Sequence, residues 1–534
     1  MKRVLSYILL TLLLSSMAVS TLDCLVLISA ILLCVILRYR PSDKRRGFPL
    51  PPGPPRKPFF GNLFDIPREK AWLQFSKWHQ QYGDMVYVEA LGKSILVLNS
   101  MKPVNDLLVD KPNLYSDRPT FTMVGELMGL DNSIPLLPYG STLRQHRKLC
   151  HTSLSPESVK KYHIIQEDAI ALFLNHVLDK PQSFVEQLRL TAGRIIMSVT
   201  YGIPPTTPDD VYIVEAEETM EMIGKATVPG AHLVDLIPSL RTLPSWLPFN
   251  SIPKVAESGR NLIWSMISRP FDAVKADRAA GTARPSFALD CLENFDEDTM
   301  GLSEQQADHL VRWAAGAMYG AGGESTYATI LTFMVAMVKF PEVQKKLQEE
   351  VDRVVGRGRL PTVQDRSNLP YVNASIKEAL RWRPALPLSI ARKLKSDDFY
   401  NGYFIPAGTI VIPNVWTISI DDRSGIPTEK FAPERFMEDQ VRETALDSTA
   451  YAFGFGRRVC PGRYLGENNL FLLISGLTVT VNLSLAVDQK GRLKSCDPEY
   501  TSGLVSHPVP YELTIKPRSR EFAAVVKERA NQVE

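Results

Sequence analysis

The sequence has few cysteines, little net charge and no internal repeat, and each of these scarcities argues against a class of protein. The six cysteines among 534 residues are scattered, without a CxxC pair or a Cys/His cluster at zinc spacing, which argues against a disulfide scaffold or a zinc module. The net charge is only +3, and no dense basic tract lies outside the N-terminal flank, so we expect no nucleic-acid partner. Because no repeat of fixed period is present, a solenoid or a propeller is not expected either.

One long apolar run is present, and it lies near the N-terminus. Residues 4–37 carry a single charge, Asp23, and are long enough for one membrane span or two short ones. The basic cluster that follows this run should remain on the cytosolic side. A cleaved signal peptide is the alternative, with cleavage near Ser16–Ser20, but apolar sequence resumes directly afterwards. We therefore predict a membrane anchor with a basic flank over residues 1–46.

Prolines dominate the next segment, residues 47–58, which includes "PLPPGPPRKP". Since proline fixes φ and cannot continue a helix, the composition predicts a stiff, extended spacer. A polyproline ligand for a partner domain is the alternative interpretation. No Pro/Gly/Ser-rich linker interrupts residues 59–534, so this part is predicted to be one large domain.

The hydrophobic periodicity of that domain is mainly helical, with two short stretches of alternating pattern. Residues 85–100 alternate around Gly92 and predict a hairpin, and residues 402–414 repeat the pattern around a Pro-Ala-Gly turn. The longest predicted helix begins at a capping box formed by Ser303 and Gln306 and continues to Pro341, over as many as 37 residues. The predicted fold class is therefore mainly α with small β-sheets.

The long helix contains "AGGEST", residues 321–326. Each of its two glycines costs about 1 kcal/mol relative to alanine within a helix. Such glycines indicate a close approach to the backbone or a bulge, and an acid and two hydroxyls follow at Glu324, Ser325 and Thr326. A simple notch for helix packing is the alternative.

Two later motifs carry charge. "KEALRWRP" places Glu378 and Arg381 on one helix face, and "FAPERF" supplies Arg435. A buried cluster of these three residues would stabilise the fold rather than take part in chemistry.

The most distinctive stretch is "FGFGRRVCPG", residues 453–462, with the spacing F-x-x-G-x-R-x-C-x-G. The glycines allow the backbone to turn tightly and to approach a flat ligand. Peptide N–H groups together with Arg458 would stabilise the Cys460 thiolate, the form that binds metal. A buried structural cysteine is the alternative.

In order along the chain, the acid-alcohol helix, the Glu378/Arg381 pair, the P-E-R-F element and this loop resemble the cytochrome P-450 family of haem-thiolate monooxygenases. The resemblance extends over essentially the whole chain after the anchor and implies the cytochrome P-450 fold. It implies that Cys460 binds the iron of a haem (heme, iron protoporphyrin) as axial thiolate, within a loop that includes Phe453. It also implies that Glu324 and the following alcohol control the delivery of protons during dioxygen activation.

Burial of the haem propionates requires cationic partners, and the resemblance suggests Arg147, Arg392 and Arg458. The sequence departs from the family at two positions. Leu143 stands where tryptophan is usual, which removes an N–H donor to a propionate. Ser325 stands where threonine is usual, and serine lacks the methyl group that restricts the rotamer. Either Ser325 or Thr326 is therefore a candidate for the working alcohol.

The chain looks like membrane-anchored fungal members, of mushroom type, that serve secondary metabolism. Residues 118–138 and 228–248 are largely apolar and are predicted to line a pocket for a lipophilic substrate such as a terpenoid or an aromatic compound, although the second stretch is also suited to the membrane surface. The resemblance implies a separate NADPH-cytochrome reductase and an endoplasmic reticulum membrane with the catalytic domain in the cytosol. The alternatives are a reductant-free haem-thiolate isomerase or dehydratase and a non-catalytic, membrane-anchored haem-binding protein.

Overall fold

The computed structural model describes residues 47–58, 60–227, 231–247, 250–294, 301–420, 424–437 and 446–533. The chain divides into two units. The described part of the smaller unit comprises 47–50 and Phe399–Phe404, and within it Phe48 packs edge-on against Phe399 with ring centroids 5.1 Å apart. The larger unit contains the remaining described residues, including those of the cysteine loop and the long predicted helix.

Most of the larger unit is helical, as the sequence predicts. The α-helices are α1 (Ala71–Tyr82), α2 (Met101–Val104), α3 (Pro112–Tyr115), α4 (Ser141–Leu154), α5 (His163–Asp179), α6 (Phe184–Tyr201), α7 (Val211–Ala226), α8 (Leu233–Leu236), α9 (Ile252–Ala280), α10 (Phe287–Glu293), α11 (Glu304–Lys339), α12 (Pro341–Val354), α13 (Pro370–Trp382), α14 (Val415–Ile420), α15 (Thr449–Ala452), α16 (Arg463–Thr480) and α17 (Arg520–Asn531). Short π- or 3₁₀-helical segments are Asn105–Val109, Thr122–Leu127, Leu130–Asn132, Ser158–Tyr162, Pro181–Ser183, Pro238–Thr242, Val363–Asn368, Pro433–Phe436 and Gly456–Arg458.

Helix α11 passes through the core. Its predicted start is confirmed, because the Ser303 hydroxyl accepts the Gln306 N–H while the Gln306 side chain accepts the Ser303 N–H. The helix has 36 residues and is about 54 Å long at 1.5 Å per residue. Residues 326–338 are all buried. A helix buried on every side needs partners all round, and α4, α6, α9 and α16 are among those that pack against it.

The strands are β1 (Met85–Ala90), β2 (Lys93–Leu98), β3 (Arg392–Lys393), β4 (Asp398–Tyr400), β5 (Tyr403–Ile405), β6 (Ile410–Pro413), β7 (Val481–Leu485) and β8 (Leu513–Pro517). They form sheets with the orders β1-β2-β6-β3, β4-β5 and β7-β8. The predicted hairpin is confirmed as β1 and β2, whose turn places Leu91 and Gly92 at φ values of 48° and 76°. Two successive positive φ values match the twist of a two-residue hairpin.

The second predicted hairpin, over residues 402–414, is wrong. Strands β5 and β6 belong to different sheets, β5 pairing with β4 and β6 lying between β2 and β3. The hydrogen-bonding edges of β6 are taken by β2 in parallel, with Ile95 opposite Ile410, and by β3 in antiparallel orientation. Pairing between segments more than 300 residues apart in the chain therefore overrides the local turn signal.

The proline-rich residues that belong to the larger unit lie along β1. The Pro52 carbonyl accepts the Tyr87 N–H at 2.8 Å, and a Cβ at Gly53 would lie only 1.9 Å from the Tyr87 carbonyl oxygen. Only glycine allows so close an approach.

Within the described part of the chain, no helix is both long and apolar enough to cross a membrane. The predicted anchor, residues 1–46, lies outside the described residues.

Candidate active site

The loop that carries Cys460 is fixed by its own backbone. After α15 ends, the Phe453 carbonyl accepts the Cys460 N–H at 2.7 Å, which closes the loop at its base. Gly454 and Gly456 have φ values of 79° and 51°, a region that side chains disfavour. A Cβ at Gly456 would also lie 2.6 Å from the Leu108 carbonyl oxygen. The predicted glycines are therefore required at this turn. Both have a backbone conformation that disfavours side chains, and Gly456 also has no room for one.

The Cys460 side chain is surrounded by protein but remains accessible to solvent, so it faces a space enclosed by the fold. Burial raises the pKa of its thiol, while the Gly462 N–H and the Arg147 guanidinium act in the opposite direction. By contrast, Cys150 is fully buried, and burial raises its pKa to about 12. An accessible thiol inside a protein is suited to binding a ligand, whereas an inaccessible one such as Cys150 fills the core.

Two predicted arginines hold this loop. Arg147 of α4 donates from Nη2 to the Val459 carbonyl at 2.9 Å, one residue before the cysteine. Arg392 of β3 donates from Nη2 to the Phe455 carbonyl at 2.6 Å. The structure thus brings both residues to the cysteine loop from distant elements.

Arg458 belongs to the loop itself, and its side chain binds a segment outside the loop. Its Nε donates to the Ser116 carbonyl at 2.8 Å. Two residues after Ser116, Arg118 donates to the carbonyls of Ile390 and Ala391 at 2.7 and 2.6 Å, immediately before Arg392. Arg118 therefore joins the three predicted arginines in a group that we call the arginine cluster (Arg118, Arg147, Arg392, Arg458), in which Arg147 is half-buried and the other three are buried.

The positive charge of the arginine cluster is offset only in part, by the nearby Asp117 carboxylate, which acts on Arg118 and Arg458. Among the described residues, none of the four forms an ion pair, and Arg392 Nη1 and Arg118 Nε are buried without a hydrogen-bond partner. Burial followed by repulsion from Arg458 lowers the pKa of Arg392 to about 9, and burial lowers that of Arg458 to about 10. Unpaired buried cations are costly, so this arrangement fits a ligand that bears carboxylates, as the two haem propionates do.

Sequence reasoning did not identify Arg118 as a site residue. The available signal was its position at the start of the predicted pocket segment 118–138, where a charged residue precedes a proline in an apolar stretch. Its partners Ile390 and Ala391 are more than 270 residues away in the chain. A contact of that kind leaves no local pattern.

Leu143, the first of the two departures from the family, is buried in α4 one turn before Arg147. It therefore packs as an apolar core residue and donates no side-chain hydrogen bond.

The acid-alcohol segment lies in the middle of α11. Ala321 is exposed although it belongs to a helix packed against other elements, so this face of α11 is accessible. Ser325 lies one turn further along the same face and is half-buried, whereas Thr326 is only 4% exposed. The structure thus distinguishes the two alcohols, and Ser325 is the accessible one.

Glu324 faces a different space from Ser325. It lines a small cavity of about 40 Å³ together with Arg189, Glu217 and Tyr327. Arg189 forms an ion pair with Glu217, and its guanidinium carbon lies 4.6 Å from the centre of the Tyr327 ring. The three sequence-predicted catalytic residues are therefore adjacent in the chain but point to different surroundings.

The two glycines of this segment have different environments. A Cβ at Gly322 would come within 2.6 Å of the Ile196 side chain on α6, so this glycine allows two helices to approach closely. A Cβ at Gly323 would meet no atom within 4 Å. The packing-notch interpretation thus holds for Gly322, and α11 continues through both positions without a break.

The predicted charge cluster is confirmed. Arg381 binds both carboxylate oxygens of Glu378, at 2.6 and 2.9 Å, and Arg435 Nε lies 3.3 Å from Glu378 Oε1. All three side chains are buried. Carbonyl groups of residues 426–430 accept further hydrogen bonds from both arginines, so the cluster attaches this segment to α13.

The two predicted pocket segments differ. In the first, Met123, Val124 and Met128 are buried. In the second, apolar side chains are exposed over residues 231–247, with Leu233 at 64% and Trp246 at 77%. The second segment is thus largely at the surface.

Comparison with known proteins agrees with these features. The family model described as Cytochrome P450 matches residues 51–515. The chain is 40% identical to cytochrome P450 monooxygenase claR of Ampulloclitocybe clavipes over 90% of its own length and 88% of that protein. It is 37% identical to cytochrome P450 monooxygenase COX2 of Coprinopsis cinerea over 92% of its length and 94% of that protein. With its cysteine loop, its long central helix and these matches, the chain belongs to the cytochrome P450 family, whose members are oxidoreductases that act as monooxygenases.

Proposed function

We propose that this protein is a membrane-anchored haem-thiolate monooxygenase that inserts one oxygen atom from O₂ into a lipophilic small molecule. The observation that carries the proposal is an accessible Cys460 thiol enclosed by the fold, next to the arginine cluster, which forms no ion pair among the described residues and keeps two buried N–H donors without a partner. The electrons come from a separate NADPH-cytochrome reductase, as is general for the family.

The residues present fit a haem. Cys460 would bind the iron as thiolate, which a metal cation stabilises against the effect of burial. The arginine cluster would hold the propionates, with Arg392 Nη1 and Arg118 Nε free to donate. When bound, the haem supplies the activation of dioxygen and the oxygen-atom insertion.

Ser325 is the proposed working alcohol. Its hydroxyl lies on the accessible face of α11, where it can orient a water molecule and pass on a proton. Thr326 is packed into the core and has no such access. Glu324, in the cavity behind this face, is the group from which protons are supplied, since its carboxyl adjoins the ion pair of Arg189 with the half-exposed Glu217.

The proposed substrate is lipophilic, and a fungal secondary metabolite such as a terpenoid or an aromatic compound is the favoured class. Phe121, Leu127 and Leu130, which are apolar and only partly buried, support a pocket of this character in residues 118–138. The sequence similarity to basidiomycete monooxygenases supports a fungal metabolic role.

The proposed location is the endoplasmic reticulum membrane, with residues 1–46 as a single-pass anchor, or as two short spans, and the catalytic domain in the cytosol. The charge bias of the N-terminal sequence supports this orientation. The exposed apolar side chains of residues 231–247 support additional contact with a lipid surface.

Incubation of the purified protein with reductase, NADPH and O₂ tests the proposal, after candidate lipophilic compounds have been screened for substrate-induced shifts of the Soret band. We expect a compound that shifts the band to gain one oxygen atom, with the label of ¹⁸O₂ in the product. Conversion without NADPH would indicate an isomerase or a dehydratase. Binding without any conversion under either condition would indicate a non-catalytic haem protein.

A further inference from the structure

A second cavity, of about 270 Å³, shares no lining residue with the candidate active site. It lies between α5, α16, α17 and the loop of residues 358–362. Its apolar lining comes from Ile170 and Leu174 of α5, Leu472 of α16 and Val525 of α17. The first three of these side chains are buried, so they form a floor, and the volume is close to the lower limit for small-molecule sites.

Four charged residues also line the cavity, two arginines and two glutamates. Both arginines already have carboxylate partners that do not line the cavity. Arg359 binds both oxygens of Asp365, at 2.7 and 2.6 Å. Arg529 forms an ion pair with Asp168. Their charge is therefore largely neutralised before any ligand enters.

The two glutamates are not neutralised in this way. Within the described ranges, neither Glu167 nor Glu528 takes part in an ion pair. Glu167 accepts one hydrogen bond, from the Val363 N–H at 3.1 Å, and burial raises the pKa of its carboxyl despite the proximity of Arg529. The cavity thus combines an aliphatic floor with negative charge that the arginines compensate only in part.

We propose that this cavity, which we call the α17 pocket, binds an organic cation, an alkylammonium compound whose apolar body rests on the floor and whose charged head pairs with Glu167 and Glu528. A neutral compound of the same shape gains only the apolar contact, and an anion is repelled by both carboxylates. Since α17 and α16 both contribute to the pocket, a bound cation ties the last helix to the helix that follows the cysteine loop.

Hexyltrimethylammonium is a suitable probe, because its quaternary nitrogen has no lone pair and cannot bind haem iron. Binding to the full-length, haem-loaded protein is measured by calorimetry, while the Soret band reports on the active site. We expect saturable binding without a Soret shift, and weaker binding of hexan-1-ol, a neutral compound with the same hexyl chain. Affinity is also expected to decrease as the pH falls through the pKa of Glu167, because protonation removes the charge.

Three variants locate the site. Glu528→Gln is expected to weaken binding about two- to fivefold, the range typical of a partly exposed ion pair. Glu521→Gln, an exposed residue on the same helix, is the matched control and is expected to leave the affinity unchanged. Val525→Phe is expected to abolish binding by filling the cavity. Equal affinity of the parent, Glu528→Gln and Val525→Phe proteins, or a Soret shift that follows binding, would overturn the proposal.

Discussion

Ser325 and Thr326 are neighbours in the chain, but α-helical geometry turns successive side chains by about 100°. This rotation leaves Ser325 partly accessible and packs Thr326 into the core. The same geometry turns Glu324 toward Arg189 and Tyr327. Three residues that a linear motif groups together therefore have three separate environments, and each can be tested separately.

The first prediction concerns iron ligation. Replacing Cys460 by Ala removes the thiolate, so the red-shifted Soret band of the ferrous carbon monoxide complex should be lost. Cys150→Ser is the control. Because Cys150 is buried, this variant is expected to keep the red-shifted band. A persistent red-shifted band in the Cys460→Ala protein would mean that a different cysteine binds the iron.

The second prediction concerns the alcohol. Ser325→Ala removes the accessible hydroxyl, so product formed per NADPH should fall by up to about 100-fold, the lower end of what a positioned proton-transfer group contributes. Peroxide is expected to be released instead, with normal haem content. Ser325→Thr is expected to preserve or improve the coupling, since the methyl group restricts the rotamer.

Thr326→Ala is the matched control for this experiment. Because Thr326 is buried, its loss should affect stability and leave the coupling intact. If Thr326→Ala uncoupled the reaction and Ser325→Ala did not, the alcohol role would belong to Thr326.

At the scale of elements, α11 depends on close packing with α6. A Cβ would have almost no room at Gly322, which faces Ile196, and would meet no neighbouring atom at Gly323. The two adjacent glycines therefore offer a comparison in which helix propensity is the same and packing alone differs.

The third prediction uses this pair. Gly322→Ala is expected to lower the free energy of unfolding by about 1 kcal/mol, since the cost of overpacking exceeds the gain in helix propensity. Gly323→Ala is expected to raise it by up to about 1 kcal/mol. Midpoints of chemical unfolding measure both changes. Equal stability of the two variants would show that Ile196 moves aside without cost.

At the scale of the whole molecule, orientation in the membrane is open to test. The fourth prediction is that protease added to sealed microsomes digests the catalytic domain, because the basic flank after residue 37 keeps it in the cytosol. Asn482 is exposed in β7 and belongs to a glycosylation sequon, so a glycan on it would report that the domain lies in the lumen. A glycan on Asn482, or protection of the domain from protease, would contradict this orientation.

The second sequon, at Asn373, is a poor reporter. The Asn373 amide donates to the carbonyls of Arg366 and Leu369, at 2.6 and 2.9 Å, within the start of α13. In the folded domain this amide is held by hydrogen bonds on either side of the membrane, so a missing glycan at Asn373 would not distinguish the two orientations.

Local signals predicted the parts of the fold that depend on neighbouring residues. The capping box at Ser303, the turn at Gly92 and the glycine-hinged loop around Cys460 are of this kind. The pairing of Ile95 with Ile410 and the approach of Arg118 to Ile390 could not be predicted, because each joins segments hundreds of residues apart. The cluster of Glu378, Arg381 and Arg435 is an intermediate case, because helical spacing joins the first two residues, whereas Arg435 comes from a separate motif that no local pattern connects to them.

The arginine cluster makes cofactor uptake part of protein maturation. A polypeptide that folds before haem arrives must bring four guanidinium groups together against mutual repulsion and loss of hydration. If the cluster holds the haem propionates as proposed, they would neutralise this charge, and the free energy of haem binding would include the relief of that repulsion. We therefore expect the newly made chain to be more exposed to proteolysis in a cell short of haem, and its abundance to follow the haem supply.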